Sequence, residues 1–245
     1  MKRILRVIAG CTLLWFVSCS PQSKWTLVPG QHPQSWEKKI SYYAAGHFLL
    51  FLPEKYGQKD QTWPMILFLH GSGERGTNLE LVKKQGPPRM VDTLPDFPFI
   101  VVSPQAPGNG TWVPEELNAL MEILVHKLAI DRSRIYLTGL SMGGRGTWEF
   151  ATEYPEWFAA IAPLCGGGDP DRACRLKEVP VWAFHGAQDN VVPIKEQQDM
   201  VDALKECGGD VKFTIYPDAG HDVWTKAYAG TALYNWFLEH KKIVK

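Results

Sequence analysis

One serine stands in a sequence context that is typical of a nucleophile. Residues 139–143 read G-L-S-M-G, with an apolar run before them and a helical pattern after them. A tight turn from strand to helix forces the central residue, Ser141, into a strained conformation, and Gly139 and Gly143 let the backbones pass closely. Ser141 then lies at a helix N-terminus, where free N–H groups favour a developing negative charge. The pattern predicts a serine nucleophile for acyl transfer; the alternative is a serine that only caps the helix.

A base must remove the proton of this serine, because a free hydroxyl is a weak nucleophile. Of the seven histidines, only His70, His185 and His221 come late in or directly after predicted strands. The other four lie before or at the start of a strand, or within helical patterns. His221 stands in the loop after the last predicted strand, from which it can fold back towards Ser141. His221 is therefore the predicted general base.

The third group expected is a carboxylate that orients the imidazole and stabilises its charged form. Asp189 lies in the segment 185–193, H-G-A-Q-D-N-V-V-P, just after a predicted strand. The competing acids are Asp169, Asp218 and Asp222. Asp218 lies too close in sequence to His221 and is better suited to capping a turn. Asp189 is the predicted acid.

A glycine-rich loop supplies candidate donors for an oxyanion. Residues 65–76 form an apolar strand pattern that runs into L-H-G-S-G-E-R-G. We predict that the N–H of Met142 is one oxyanion donor and that the N–H of Ser72 is the second. A phosphate-binding loop is the alternative, but neither G-x-x-x-x-G-K-[ST] nor a G-x-G-x-x-G that opens a long helix is present. His70 and Glu74 are expected to shape the loop through hydrogen bonds.

A sheet edge is needed to bring these distant residues together. Apolar strand patterns cover residues 47–52, 65–69, 99–103, 135–138, 159–164, 181–184 and 211–216. Helical patterns cover residues 114–128, 142–154, 195–207 and 226–241. This alternation predicts a doubly wound, mostly parallel α/β sheet, in which ligands bind beyond the C-terminal ends of the strands.

The motifs resemble those of α/β hydrolases, in particular the dienelactone-hydrolase-like group with its feruloyl and acetyl-xylan esterases. The matching pieces are L-H-G-S-G-E-R-G at 69–76, G-L-S-M-G-G at 139–144, F-H-G-A-Q-D-N-V-V-P at 184–193 and G-H-D-V-W at 220–224. The chain order Ser, Asp, His is also that of the superfamily. The resemblance implies an α/β-hydrolase fold of about eight strands and a serine carboxylic ester hydrolase that needs no metal or organic cofactor.

Two other functions stay open at this point. The same motifs occur in prolyl-oligopeptidase-type catalytic domains, so a serine peptidase or another acyl hydrolase is an alternative. A catalytically inactive surface binding module is a third possibility, although such modules usually lose the nucleophile or the base. Acyl specificity, alcohol specificity and oligomeric state are left open.

The predicted site is open and suits short-chain or aryl esters, including acyl groups on a polysaccharide. Only residues 165–179 separate two strand patterns at the position where lipases carry a lid, so no large lid is expected. Trp224 and Trp112 follow strand ends and are candidates for stacking on a sugar or an aromatic acyl ring; core packing is the alternative. Arg145, one turn past the nucleophile, lies either near the acyl pocket or on the helix surface.

Composition is that of a globular protein and excludes one class of partner. The chain has 245 residues, with 26 basic and 26 acidic side chains. No surplus of cations is available to neutralise phosphates, which argues against nucleic-acid binding. Cysteine spacing fits no metal site. A bridge between Cys165 and Cys174 is possible in an oxidising compartment, but free buried thiols are favoured.

The first eighteen residues predict export. Three basic residues precede an apolar run at 7–17, which is too short to span a bilayer and is typical of a signal peptide. The segment F-V-S-C-S at 16–20 resembles a bacterial lipoprotein cleavage box. The resemblance implies a lipid anchor on Cys19 in the outer membrane or periplasm, with no other membrane contact; an ordinary secretory signal is the alternative. The expected organisation is a signal peptide at 1–18, a tether at 19–38 and a catalytic domain at 39–245.

Overall fold

The computed structural model describes residues 24–243. The expected signal peptide, Cys19 and the first residues of the tether lie outside the described residues. Within 24–243, no helix combines the length and apolar character that crossing a bilayer requires.

The described residues contain a single sheet of eight strands. The strands are β1 (Gly30–Lys39), β2 (Tyr43–Leu52), β3 (Trp63–Leu69), β4 (Ile100–Pro104), β5 (Ile130–Leu140), β6 (Ala160–Leu164), β7 (Val181–Gly186) and β8 (Val211–Tyr216). Their spatial order is β1-β2-β4-β3-β5-β6-β7-β8. Strand β2 pairs antiparallel with β1 and β4, and the other pairs are parallel. The prediction of a mostly parallel α/β sheet is confirmed.

Helices cover both faces of this sheet. They are α1 (Gly86–Met90), α2 (Pro114–Lys127), α3 (Met142–Glu153), α4 (Ile194–Glu206), α5 (Trp224–Ala229) and α6 (Ala232–Glu239). Short 3-10 helices lie at Ser72–Glu74, Leu79–Lys84, Pro155–Trp157 and Pro170–Leu176.

Strand β3 shows how the two faces are stabilised, because all its residues are buried. Met65, Leu67 and Leu69 join a core closed by α2, α3 and α4, whereas Ile66 and Phe68 join a core closed by α1, α5 and α6. Burying each such side chain contributes about 1.5–3 kcal/mol. The alternation explains why the sequence of a central strand is continuously apolar.

The prediction of a tether at 19–38 is wrong over its second half. Gly30–Lys39 is an edge strand that pairs with the whole length of β2. Its sequence is polar because it lies at the edge of the sheet, where Pro33 and charged side chains are tolerated. Even before β1 the chain is packed, with Trp25 buried and its ring 5.1 Å from that of Phe48.

Other predicted boundaries also differ from the structure, and two of these differences have a clear structural reason. Strand β5 begins at Ile130, five residues before the apolar pattern, and an irregularity in its pairing with β3 accommodates the polar residues between. The helix expected over 226–241 is instead two helices, because α5 ends before Gly230 and α6 begins at Ala232.

The prediction of free buried thiols is confirmed for Cys165 and wrong for Cys174 and Cys207. Cys174 forms a disulfide with Cys207, with a Cα–Cα distance of 5.5 Å, and Cys165 is free and buried. The bond joins the 3-10 helix after β6 to the end of α4. These residues are 33 positions apart, so their contact depends on how α4 packs and is not visible in local spacing.

Candidate active site

The strained turn expected at Ser141 is present between β5 and α3. Ser141 has φ 53° and ψ −116°, and its N–H donates to the carbonyl of Leu164 at 2.9 Å. A Cβ atom at Gly143 would overlap the carbonyl oxygen of Leu69. Only glycine therefore lets the start of α3 pack against the end of β3, and this contact brings the serine close to the loop after β3.

Ser141, His221 and Asp189 form one hydrogen-bonded chain. Ser141 Oγ lies 2.9 Å from His221 Nε2, and His221 Nδ1 lies 2.7 Å from Asp189 Oδ2. The three residues follow β5, β8 and β7, whose C-terminal ends lie at one edge of the sheet. The side chain of Asp189 is fully buried and that of His221 is 17% exposed. Such an arrangement lets the imidazole accept the serine proton while the carboxylate holds the ring.

Local hydrogen bonds keep Asp189 ionised. Burial alone would raise the pKa of this carboxyl, but the hydrogen bond from His221 and those from the backbone N–H groups of Val192 and Val191 outweigh it and lower the pKa. Both amides donate to Oδ1, at 2.8 Å from Val191 and 3.0 Å from Val192. Oδ2 is left to face the imidazole. These backbone donors carry no side-chain signal, and sequence reasoning missed them.

The two residues named as oxyanion donors lie at the starts of helical segments. Met142 is the first residue of α3, and Ser72 is the first residue of the 3-10 helix Ser72–Glu74. The first N–H groups of a helix have no partner within it. Gly71 packs so closely on Leu140 that an added Cβ would lie 2.8 Å from Leu140 Cδ1. The loop after β3 is thus held beside the residue that precedes Ser141.

His70 anchors this loop from inside. It is fully buried; its Nε2 accepts the N–H of Ala106 at 3.0 Å, and its Nδ1 lies 2.6 Å from the carbonyl oxygen of Gly71. Burial and, to a smaller extent, the charge of Arg75 lower the pKa of His70 to about 4, although the hydrogen bond with the Gly71 carbonyl opposes the shift. His70 is therefore neutral at pH 7, with the proton on Nδ1. Glu74 is half-buried, and burial raises the pKa of its carboxyl.

Trp112 is a packing residue in the structure, which agrees with the core-packing alternative. It is 5% exposed, and its indole N–H donates to the carbonyl of His70 at 3.1 Å. Its ring also packs edge-on against His70, with centroids 4.8 Å apart. The indole supports the same loop that His70 anchors.

Trp224 lies closer to the reacting groups. Its ring meets that of His221 at 90°, with centroids 5.1 Å apart. Trp224 also lines a cavity of about 380 Å³ together with Arg89 and Met90 of α1 and Tyr228 of α5. This cavity is a candidate pocket for one side of a substrate.

Arg145 is held on the surface by an ion pair. Its guanidinium lies 2.6 Å from Glu196 Oε2, and the side chains of both residues are nearly half exposed. The pair bridges α3 and α4 at the rim of the site, which agrees with the helix-surface alternative.

Cys165 is a neighbour of the site that sequence reasoning considered only as a disulfide partner or a buried thiol. Its S–H donates to the carbonyl of His221 at 3.1 Å, and Sγ lies within 4.8 Å of ligand atoms of Asp189 and His221. Burial raises the pKa of the Cys165 thiol to about 12. A metal ligand must be a thiolate, so this cluster fits a metal ion poorly, and the thiol instead holds the backbone of the histidine loop.

Comparison with known proteins identifies the family. A model described as "Dienelactone hydrolase family" matches residues 103–231, just over half of the chain. The Escherichia coli K12 protein "Putative carboxymethylenebutenolidase" is 31% identical over 100 residues, which cover 37% of this chain and 37% of that protein. The chain thus matches little more than a third of the length of such curated relatives.

Two further relatives cover more of the chain. "Bifunctional acetylxylan esterase/xylanase XynS20E" of Neocallimastix patriciarum is 28% identical over 200 residues, which cover 74% of this chain and 28% of that protein. A solved structure of a thermostable esterase is 33% identical, with a TM-score of 0.78, and covers 86% of this chain and 63% of that one. Together these similarities support a hydrolase related to esterases.

Proposed function

Because this chain belongs to the dienelactone hydrolase family, we propose that it is a serine carboxylic ester hydrolase in which Ser141 is the nucleophile, His221 the general base and Asp189 the orienting acid. One observation carries the proposal: Ser141 Oγ and Asp189 Oδ2 lie 2.9 Å and 2.7 Å from the two ring nitrogens of His221. These distances are those that proton transfer from a serine to a histidine requires.

The reaction proceeds in two acyl-transfer steps. Ser141 Oγ attacks the ester carbonyl while His221 Nε2 takes its proton. The ester C–O bond then breaks, and the alcohol leaves with the proton from His221. Water, deprotonated by His221, attacks the acyl-enzyme, and the carboxylic acid leaves as Ser141 regains its proton. Asp189 holds the imidazole in place and stabilises its cationic form in both steps.

The tetrahedral oxyanion of each step is stabilised by the backbone N–H groups of Met142 and Ser72. Both lie at helix starts, where an N–H lacks an intrahelical partner. Losing one such donor typically costs about 3 kcal/mol of transition-state stabilisation. His70 has no contact with substrate in this mechanism and acts by fixing the loop that carries Ser72.

The substrates we propose are short-chain or aryl esters, including acyl groups attached to a polysaccharide. The segment between β6 and β7 contains only the 3-10 helix Pro170–Leu176, which leaves the site without a large lid. The cavity beside Trp224 has about 380 Å³, which is at the small end of ligand pockets. An alcohol as large as a polysaccharide has to stay outside such a cavity and lie along an open surface.

A fluorophosphonate probe and a set of ester substrates test the proposal. Wild-type protein should be labelled on Ser141 and should hydrolyse acetyl, feruloyl or short aliphatic esters, whereas Ser141→Ala should do neither. Ser133→Ala, at an ordinary serine on β5, is the matched control. Strong preference for emulsified long-chain triglyceride would contradict the open site, and preference for peptide amides would favour a peptidase.

We also propose that the protein is exported and anchored by a lipid on Cys19. The supporting features are the basic and apolar pattern of residues 1–18 and the cleavage-box resemblance at 16–20. The disulfide between Cys174 and Cys207 suits an oxidising compartment. Mass spectrometry of the mature N-terminus in a bacterial host should find an acylated Cys19, and Cys19→Ala should abolish it. An unmodified N-terminus at another residue would favour an ordinary secretory signal.

A further inference from the structure

Asp189 has two histidine neighbours, of which the proposed reaction uses only one. His221 Nδ1 lies 2.7 Å from Asp189 Oδ2, and His185 Nε2 lies 3.2 Å from the same oxygen. The side chains of His185 and Asp189 are both fully buried. A buried polar ring beside the acid requires a complete set of partners, because an unpaired group there is costly.

The Nε2 side of His185 closes a ring of contacts around the acid. Nε2 lies 3.0 Å from the carbonyl oxygen of Val192, and the N–H of Val192 donates to Asp189 Oδ1 at 3.0 Å. A carbonyl and a carboxylate oxygen only accept hydrogen bonds, so His185 Nε2 carries a proton here. The hydrogen bond of this proton goes to the Val192 carbonyl, and Asp189 Oδ2 lies 3.2 Å from the same nitrogen. The imidazole thereby contacts both the Asp189 side chain and the backbone of its loop.

The Nδ1 side of His185 is fixed by Gln197, which is fully buried on α4. Gln197 Nε2 donates to the carbonyls of Pro163 and Phe184 at 3.2 Å and 3.1 Å, and its Oε1 accepts the N–H of Gly166 at 2.9 Å. This leaves Oε1 facing His185 Nδ1 at 3.3 Å. The amide thus ties the ends of β6 and β7 to α4. Because Oε1 only accepts, it forms a hydrogen bond with His185 Nδ1 only in the imidazole form that is protonated on Nδ1 as well as on Nε2.

We propose that His185 is a positioning residue for Asp189: through its Nε2 proton it holds the acid and its loop in the geometry that orients His221. This inference rests on the proposed function, because it gives His185 a part in that reaction. His185 itself touches neither the serine nor the substrate. The competing explanation is a histidine that only fills a buried polar space, with no effect on the reaction once the chain is folded.

Two conservative substitutions separate these explanations. The amide of a glutamine reaches the position of Nε2, whereas the amide of an asparagine reaches only that of Nδ1. We expect His185→Asn to lower kcat about ten- to hundredfold with little change in KM, since small misplacements of catalytic groups cost that much. His185→Gln should restore most of the loss. His126→Asn, at an exposed histidine of α2, is the matched control. Equal kcat per active site for wild type and both variants would overturn the proposal.

Counting the active sites distinguishes a failure of the His185 proposal from a failure of the esterase proposal. Fluorophosphonate labelling of Ser141 gives the number of competent sites in each preparation. A wild-type protein that is neither labelled nor active overturns the esterase proposal itself. A labelled, active wild type whose kcat is unchanged in His185→Asn overturns only the role of His185.

One measurement needs no variant and so does not depend on the folding of His185→Asn. In nitrogen-15 NMR of the wild-type protein near neutral pH, His185 Nε2 should carry a proton that is hydrogen-bonded. The strongly deshielded proton on His221 Nδ1 should be present in wild type and in His185→Gln, and shifted or broadened in His185→Asn. A bare Nε2 on His185 would overturn the proposal.

Discussion

His70 and His185 have the same local sequence setting but opposite hydrogen-bonding surroundings. Both are fully buried at the C-terminal end of a parallel strand, and both precede a glycine. His70 accepts the N–H of Ala106 with one nitrogen and is neutral. The atoms nearest the ring nitrogens of His185 are oxygens of Asp189, Val192 and Gln197, and its Nε2 donates to the Val192 carbonyl. One histidine contacts the loop after β3 and the other contacts the loop that carries Asp189, so the same His-Gly pattern serves two different sets of partners.

The largest loss of kcat is expected from a substitution of Asp189, the acid that His185 contacts. Asp189→Asn should lower kcat about 10⁴-fold, because an amide favours the wrong imidazole tautomer and does not stabilise the cation. Steady-state kinetics with a small ester measures the loss. Asp202→Asn, at an exposed aspartate of α4, is the control. A loss of less than tenfold would show that another acid orients His221.

A substitution of His70, which supports the loop after β3, should lower kcat less. His70→Leu leaves the buried N–H of Ala106 without a partner and frees the loop that carries Ser72. We expect kcat to fall about a hundredfold, close to the loss of one oxyanion donor, with a decrease in unfolding free energy of about 1–3 kcal/mol. Kinetics and thermal unfolding test both parts, with His126→Leu as the control. An unchanged kcat in a folded His70→Leu variant would show that His70 is not needed to position the loop that carries Ser72.

The pH dependence of the unfolding free energy tests whether His70 is neutral in the folded protein. The pKa of His70 is lowered from 6.5 to about 4 in the folded state, so the unfolded chain binds more protons between these values. The contribution of His70 to the unfolding free energy should therefore be complete above about pH 6.5 and fall by about 3 kcal/mol towards pH 4. His70→Gln should flatten this part of the curve in denaturant titrations. A curve identical to that of wild type would contradict a neutral, buried His70.

The smallest effects on stability and on KM are expected from a substitution of Arg145 at the rim of the site. Arg145→Ala breaks an exposed ion pair with Glu196 and should change the unfolding free energy by less than about 1 kcal/mol. KM for small esters should stay within about twofold. Chemical denaturation and kinetics measure both quantities. A large increase in KM for polysaccharide-linked esters, with small esters unaffected, would instead show that Arg145 contacts substrate.

Much of the fold and of the candidate site is visible in the sequence because local patterns encode it. The strand before Ser141 and the glycines around it predict the turn. Asp189 and His221 follow from their places after strands. The structure brings the three side chains together because the strand ends share one edge of the sheet.

Other features depend on contacts between distant segments and leave little local signal. Strand β1 is polar because its neighbour on one side is solvent, so no apolar alternation marks it. The N–H groups of Val191 and Val192 and the thiol of Cys165 act through geometry that residue type does not report. Trp112 resembles a ligand-stacking residue in sequence, but the loop that folds over it makes it a support.

The disulfide encloses only part of the candidate site. The covalent ring closed by Cys174 and Cys207 contains β7, His185, Asp189 and Gln197, whereas Ser141 and the loop after β3 lie outside it. A cross-link restricts the unfolded chain most within the segment that it closes. Reduction of this bond should therefore increase the chain entropy of the unfolded state chiefly in the segment that carries Asp189, His185 and Gln197, which lowers the stability of the whole domain through the part of the chain that supplies the carboxylate.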